Sequence, residues 1–125
     1  MGTVSAALDA VLPLSLRGRR GQTAETQAVI DTGFDGFVAL ARSDITRLEL
    51  ELVGHVDAEL GYGSAARLSL FEARVLWHGQ ERDVYVLEVD GGPLLGTALL
   101  RDSQLIVEFV PGGTVSVTLL GSRYV

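Results

Sequence analysis

An all-β domain, closed into a barrel or folded as a sandwich, is what this sequence predicts. Three observations point to it. Apolar residues recur mostly with a period of two, as at Leu12, Leu14 and Leu16, which lays one side of an extended chain against a core. The apolar runs are short. Glycine-bearing turns separate them, and many short strands divided in this way are the pattern of barrels and sandwiches.

The elements follow in chain order. The alternation at Leu12, Leu14 and Leu16 reads as a strand, and Pro13 inside it has no amide to donate, so an edge or irregular position is expected. "RGRRGQ" is a turn by its glycines, and "TAETQAVI" returns as a second strand. "GFVALA" is a further short strand. "SDITRLEL" has room for one helical turn with Ser43 as N-cap. "ARLSLFEARVLW" and "RDVYVLEV" are strands joined by the turn "HGQE". Both faces of the latter are apolar, through Val84, Tyr85, Val86, Leu87 and Val89, so it belongs in the middle of a sheet. "TALLRD" reads as a short helix opened by Thr97. "LIVEFV", the turn "PGG" and "TVSVTLL" form a last hairpin, with Val115, Val117 and Leu119 on one side.

The two halves echo one another faintly. Gly21-Gln22 and Gly79-Gln80 lie 58 positions apart, each turning one apolar strand into another. The first turn leads to "VIDTG" and the second to "PLLGT", as a barrel with pseudo-twofold symmetry would require.

Bulk composition narrows the function. A chain of 125 residues predicts a single domain spanning 1–125. Its net charge is −6, and its ten basic residues, all Arg, form no basic stripe, which argues against a nucleic-acid partner. There is no Cys, which excludes disulfides, thiol catalysis and the usual structural zinc sites. The opening "MGTVSAALDAVLPLSL" makes a poor secretion signal, with no basic start and Asp9 in its apolar part. No apolar run is long enough to cross a membrane. A cytoplasmic protein without a membrane contact is the expectation.

One stretch stands out. In "AVIDTGFDGFVAL", residues 28–40, Asp31 directly follows an apolar run and directly precedes Thr32-Gly33. Charge beside apolar neighbours costs free energy. The tripeptide alone says little, because Asp, Thr and Gly all favour turns. The context says more: Phe34-Asp35-Gly36 and "FVAL" follow, then some sixty residues later "PLLGTALL", then "LIVEFVPGGTVSV".

With these motifs in this order, the sequence resembles the retropepsin-like aspartic proteases, which share a fold with the retroviral proteases. It is most similar to the small prokaryotic kind with Asp-Thr-Gly-Phe. The resemblance covers most of the chain. It implies a retropepsin-like closed barrel of short strands, with a flap hairpin and one short helix. It also implies peptide-bond hydrolysis by a water held between two carboxyls. Like charges in contact do not both ionise easily, so one carboxyl acts as base and the other as acid. Asp31 is then the catalytic residue, and Thr32 and Gly33 support its loop. The chain has one Asp-Thr-Gly, and "PLLGT" carries Leu95 before its glycine, so the resemblance implies a homodimer with one Asp31 from each subunit. The flap is expected in "AELGYGSAARLSL", with Gly61, Tyr62 and Gly63 at its tip over the substrate. No metal and no cofactor is implied.

The pattern departs from the retroviral one in two places. Thr97 stands where those proteins have an Arg that pairs with an acid of the first loop, which leaves Asp35 without that partner; Arg101 is a substitute. No counterpart is found for the terminal strands that retroviral dimers interleave. Other chemistries fare worse. Gly61-Tyr62-Gly63-Ser64-Ala65 is not a nucleophile elbow. His55 and His78 have no ligand spacing. Trp77 belongs in the core, and Arg17, Arg19 and Arg20 form a solvated turn. The expected activity is aspartic endopeptidase, with a catalytically silent dimer that binds extended peptides by strand addition as the alternative.

Overall fold

The structure, a computed structural model, describes residues 1–59 and 65–121. Among these residues lie ten strands and two short helices: β1 (Gly2–Val4), β2 (Ala10–Arg17), β3 (Thr23–Ile30), β4 (Val38–Leu40), α1 (Arg42–Arg47), β5 (Glu51–Glu59), β6 (Ala65–Trp77), β7 (Gln80–Glu88), β8 (Leu94–Leu95), α2 (Thr97–Leu100), β9 (Ser103–Val107) and β10 (Thr114–Leu119). The strands are ordered β5-β6-β7-β4-β8-β3-β2-β1-β10-β9. A further pairing of β2 with β6, Leu16 opposite Val75, closes six of them into a barrel. The two helices lie where the residues of "SDITRLEL" and "TALLRD" placed them, and they correct the single helix that the resemblance implied.

The alternation in β2 does what its period requires. Leu12, Leu14 and Leu16 are buried inside the barrel, where they meet Val75, Val86, Leu95 and Leu99 in one continuous core. Pro13 sits in an interior strand, at a stretch paired on one side only, in keeping with the edge or irregular position expected. It is tolerated because β1 pairs only with Ala10 and Val11 and β6 only with Leu16 and Arg17, leaving β3 as the sole partner opposite Pro13. Strand β7 is central, between β6 and β4, as its two apolar faces require. His78 and Gly79, at φ 50° and 77°, make the two-residue turn that a twisted hairpin favours. Trp77 lies in the core, and Arg17, Arg19 and Arg20 form exposed ion pairs with Glu81, Glu51 and Glu49.

The internal echo has a structural basis. Hairpin β2–β3, strand β4 and helix α1 form one unit; hairpin β6–β7, strand β8 and helix α2 form a second. β3 runs parallel to β8 and β7 parallel to β4, while β4 and β8 lie antiparallel at the centre, Val38 opposite Leu95. The arrangement is twofold in topology. The first helix start differs from the expectation, with Ala41 and not Ser43 as its cap, whereas α2 opens at Thr97 as expected, behind Gly96; both caps are extended and without side-chain cap bonds. Each short helix starts where its central strand ends, so strand position decides the boundary over capping chemistry.

Candidate active site

Asp31 is placed by backbone bonds. The parallel pairing of β3 with β8, Ile30 opposite Leu95, extends one residue further, because the Asp31 amide donates to Leu95 O at 2.9 Å. The chain then turns sharply. The Phe34 amide donates to Asp31 O at 3.1 Å, and the Gly33 amide donates to the carboxylate Oδ1 of Asp31 at 2.9 Å. An Asp side chain bonded to the amide two residues on is the turn chemistry of this residue type. A Cβ on Gly33 would lie 3.2 Å from that same Oδ1, so the missing side chain leaves the carboxylate its space. Asp31 is half-buried, while Thr32, Gly33 and Asp35 are exposed.

The loop does not hold itself. The segment after β8 latches it: Gly96 N donates to Phe37 O at 3.0 Å, Thr97 N to Phe34 O at 2.9 Å and Ala98 N to Gly36 O at 3.1 Å. The Thr97 hydroxyl adds a bond to Phe34 O at 3.3 Å. Gly96 is buried beneath the loop, and a Cβ there would lie 2.2 Å from Gly36 O and 2.6 Å from Phe34 Cδ2. Only glycine allows this approach. The Leu-Leu-Gly segment and the Asp-Thr-Gly loop, far apart in sequence, are therefore one structural unit. Thr97 stabilises the loop through Phe34. Among the described residues no ion pair joins Asp35 to Arg101 or to any other Arg.

A groove of about 730 Å³ opens beside this loop. Gly33 lines it, next but one to Asp31; Asp31 itself does not. Val56 and Ala58 of β5 and Leu68 and Leu70 of β6 form one wall, and Leu87 and Leu94 form part of another. Val56 lies opposite Leu68 across the β5–β6 ladder, so the alternation of these strands turns small and branched apolar side chains to the groove. Among the described residues Asp35, Asp57 and Tyr85 are its polar members, and no Arg lines it. Arg82 sits over the ring of Phe37, 5.5 Å from its centre. Asp57 and Tyr85 escaped the sequence reading; the period-two pattern of β5 and β7 was their only signal. The expected flap tip, Gly61, Tyr62 and Gly63, lies outside the described residues.

The second half of the chain has no acid at the position equivalent to Asp31, although Glu88 and Asp90 flank it. The Val89 amide donates to Leu40 O at 2.9 Å, the counterpart of the bond from Asp31 to Leu95. In the twofold topology Val89 is thus the equivalent of Asp31, and Leu95-Gly96 is the equivalent of Leu40-Ala41. This corrects the alignment of "VIDTG" with "PLLGT". Thr32 is exposed, and its hydroxyl has no hydrogen-bond partner among the described residues. His78 bonds Ser103 Oγ at 2.8 Å, and His55 is exposed on β5. Among the described residues no cluster of His, Asp and Glu is suited to a metal ion, and no helix is long and apolar enough to cross a membrane. Neither the models of known protein families nor the curated proteins give a match to this chain.

Proposed function

We propose that the protein is an aspartic endopeptidase of the retropepsin-like kind, with an active site completed by a second copy of the chain. The observation that carries this reading is the presentation of Asp31. Its carboxylate stands on a loop fixed by backbone bonds to a distant segment, beside an apolar groove with the β5–β6 hairpin as one wall. A structural turn does not require a glycine pressed against its underside, as Gly96 is here. Positional precision of this kind is what catalysis by fixed groups demands.

The chemistry needs two carboxyls, and each chain supplies Asp31 alone. In the dimer the two share one proton. The ionised carboxyl takes a proton from a water as its oxygen bonds to the substrate carbonyl carbon. The protonated carboxyl gives its proton to the carbonyl oxygen. Collapse of the resulting diol breaks the C–N bond, with a proton passed to the leaving nitrogen. The groove accepts an extended peptide with apolar side chains. Neither a metal nor a cofactor takes part in these steps.

The test is digestion of a mixed peptide library, read by mass spectrometry from acid to neutral pH. The reading expects cleavage with a maximum on the acid side, suppressed by a peptide analogue carrying a hydroxyl at the attacked carbon. Absence of cleavage at every pH by a dimeric sample refutes it. Peptide retained under those conditions favours the silent binding module.

A further inference from the structure

We infer that Asp90 is the covalently labile point of this chain: its carboxyl closes on the Gly91 amide to a cyclic imide, which reopens in part as isoaspartate, while the same dipeptide at Asp35-Gly36 is held back by the fold. The inference stands apart from the protease reading. It concerns the loop that follows β7 and ends at β8.

The chemistry is that of an aspartate followed by a glycine. The Gly91 amide nitrogen attacks the side-chain carbonyl carbon of Asp90 and gives up its proton, and the carboxyl hydroxyl leaves as water. Water then adds to either carbonyl of the ring. Addition at the side-chain carbonyl restores aspartate. Addition at the main-chain carbonyl leaves the chain running through the side chain of residue 90, as isoaspartate. No oxidant or partner is consumed, and the product has the mass of the starting chain. A glycine on the C-terminal side favours closure, because no Cβ shields its nitrogen. The chain has no Asn, and Asp-Gly occurs in it twice, at 35–36 and 90–91.

The structure separates the two. Val89 N donates to Leu40 O and Val29 N to Pro93 O, each at 2.9 Å, so the loop after β7 is anchored at both ends. Between these anchors Asp90, Gly91 and Gly92 form exposed bends. Among the described residues no backbone hydrogen bond and no ion pair engages them. A Cβ at Gly91 or at Gly92 would meet nothing within 4 Å. Nothing therefore packs against the bonds that ring closure must turn, and a segment without such contacts opens at little cost.

Asp35 is exposed as well, so exposure is not what differs. Its surrounding peptide groups are fixed: Phe34 O accepts from Thr97 N, Gly36 O from Ala98 N and Phe37 O from Gly96 N. The Phe34 ring lies against Gly36, where a Cβ would come within 2.5 Å of Cζ and 2.7 Å of Cε1. Turning the Asp35–Gly36 peptide toward the carboxyl disrupts this packing and the bonds of the latch. The latch that presents Asp31 thus also protects Asp35. The unprotected site sits on the groove wall. Val89 and Leu94 both line the groove, and isoaspartate at position 90 inserts one more carbon between them, about 1.5 Å of main chain.

The experiment is ageing of the native protein in heavy-oxygen water at neutral pH and body temperature, with digestion afterwards in ordinary water. Each ring opening leaves one heavy oxygen at the residue that closed. Electron-transfer fragmentation of the peptides locates it and tells isoaspartate from aspartate. Label and isoaspartate are expected at Asp90 about tenfold faster than at Asp35. In strong denaturant the two rates should come together, since both acids precede a glycine. Asp90→Glu, whose longer side chain closes a ring poorly, should abolish labelling at that position and keep the circular dichroism spectrum. Equal rates in the folded protein, or a faster Asp35, overturn the inference. So does labelling at Asp90 no faster than at the Asp residues that do not precede a glycine. A difference that survives denaturant overturns the protection of Asp35 by the fold.

Discussion

The carbonyl oxygen of Phe34 accepts two bonds from one residue, Thr97: from its amide at 2.9 Å and from its hydroxyl at 3.3 Å. Sixty-three positions separate them in sequence. Through this contact the segment after β8 sets the course of the chain that carries Asp31.

Replacing Thr97 with Val removes the hydroxyl and keeps the amide. Thr97 is exposed, so water takes over part of the lost bond. The expected loss of stability is at the low end for a hydrogen bond, about 0.5–1 kcal/mol. The loop loses one restraint, so kcat is expected to fall more than KM rises. Denaturant titration and steady-state kinetics check the two parts separately.

Gly96→Ala tests the close approach. The new Cβ meets backbone oxygens at 2.2 and 2.7 Å, which no side-chain rotation relieves. Overpacking of this kind costs about 1–3 kcal/mol, and the Asp31 loop is the part displaced. Gly54→Ala is the control, because a Cβ there meets nothing within 4 Å. A melting temperature lowered in the first variant and nearly unchanged in the second is the expected outcome. Equal effects would remove the latch from the account.

The groove wall should set substrate preference. Leu70 lines it and is only half-buried, so Leu70→Ala enlarges the groove with a limited loss of core packing. Apolar pockets discriminate by about 1–3 kcal/mol per methylene. Ratios of kcat/KM for paired substrates should therefore shift at least tenfold toward bulkier side chains. An unchanged profile would place substrate elsewhere.

Glu108 gives a pH dependence of stability. Its carboxyl is held below the ordinary value of 4.5 by the Thr114 hydroxyl and then by the Thr114 amide, against a small opposing effect of desolvation. A carboxyl lowered in the folded state adds stability above its unfolded value and loses it as pH falls through the folded one. The native protein should thus melt higher than Glu108→Gln at neutral pH. The two melting curves should converge below the carboxylate range. A difference that stays constant with pH would assign it to shape and not to charge.

Much of this arrangement was legible in the sequence, and what escaped has physical reasons. The alternation at Leu12, Leu14 and Leu16 and the apolar faces around Val86 are local patterns, and they gave β2 and β7 their places. Strand β8 is two residues long, too short for any period to show, yet it holds Asp31 in place. Pro13 rightly signalled an edge or irregular position, but that this would arise inside an interior strand, where β1 and β6 stop pairing, is a property of the assembled sheet. The start of α1 behind Ala41 was missed for a related reason: the end of β4 overrides Ser43 as a cap, while α2 opens at Thr97 as read. The groove residues Asp57 and Tyr85 carry no motif, and only the folded barrel brings them near Gly33.

The most direct test is Asp31→Asn. Asn keeps the size of the side chain and can still accept from the Gly33 amide, so the variant should fold with an unchanged circular dichroism spectrum and an unchanged dimer fraction. It cannot exchange the proton that the reaction moves. Cleavage of the peptide library should fall by several orders of magnitude, since paired catalytic groups fail as a unit. Cleavage by Asp31→Asn at the native rate and at the same bonds would contradict the account.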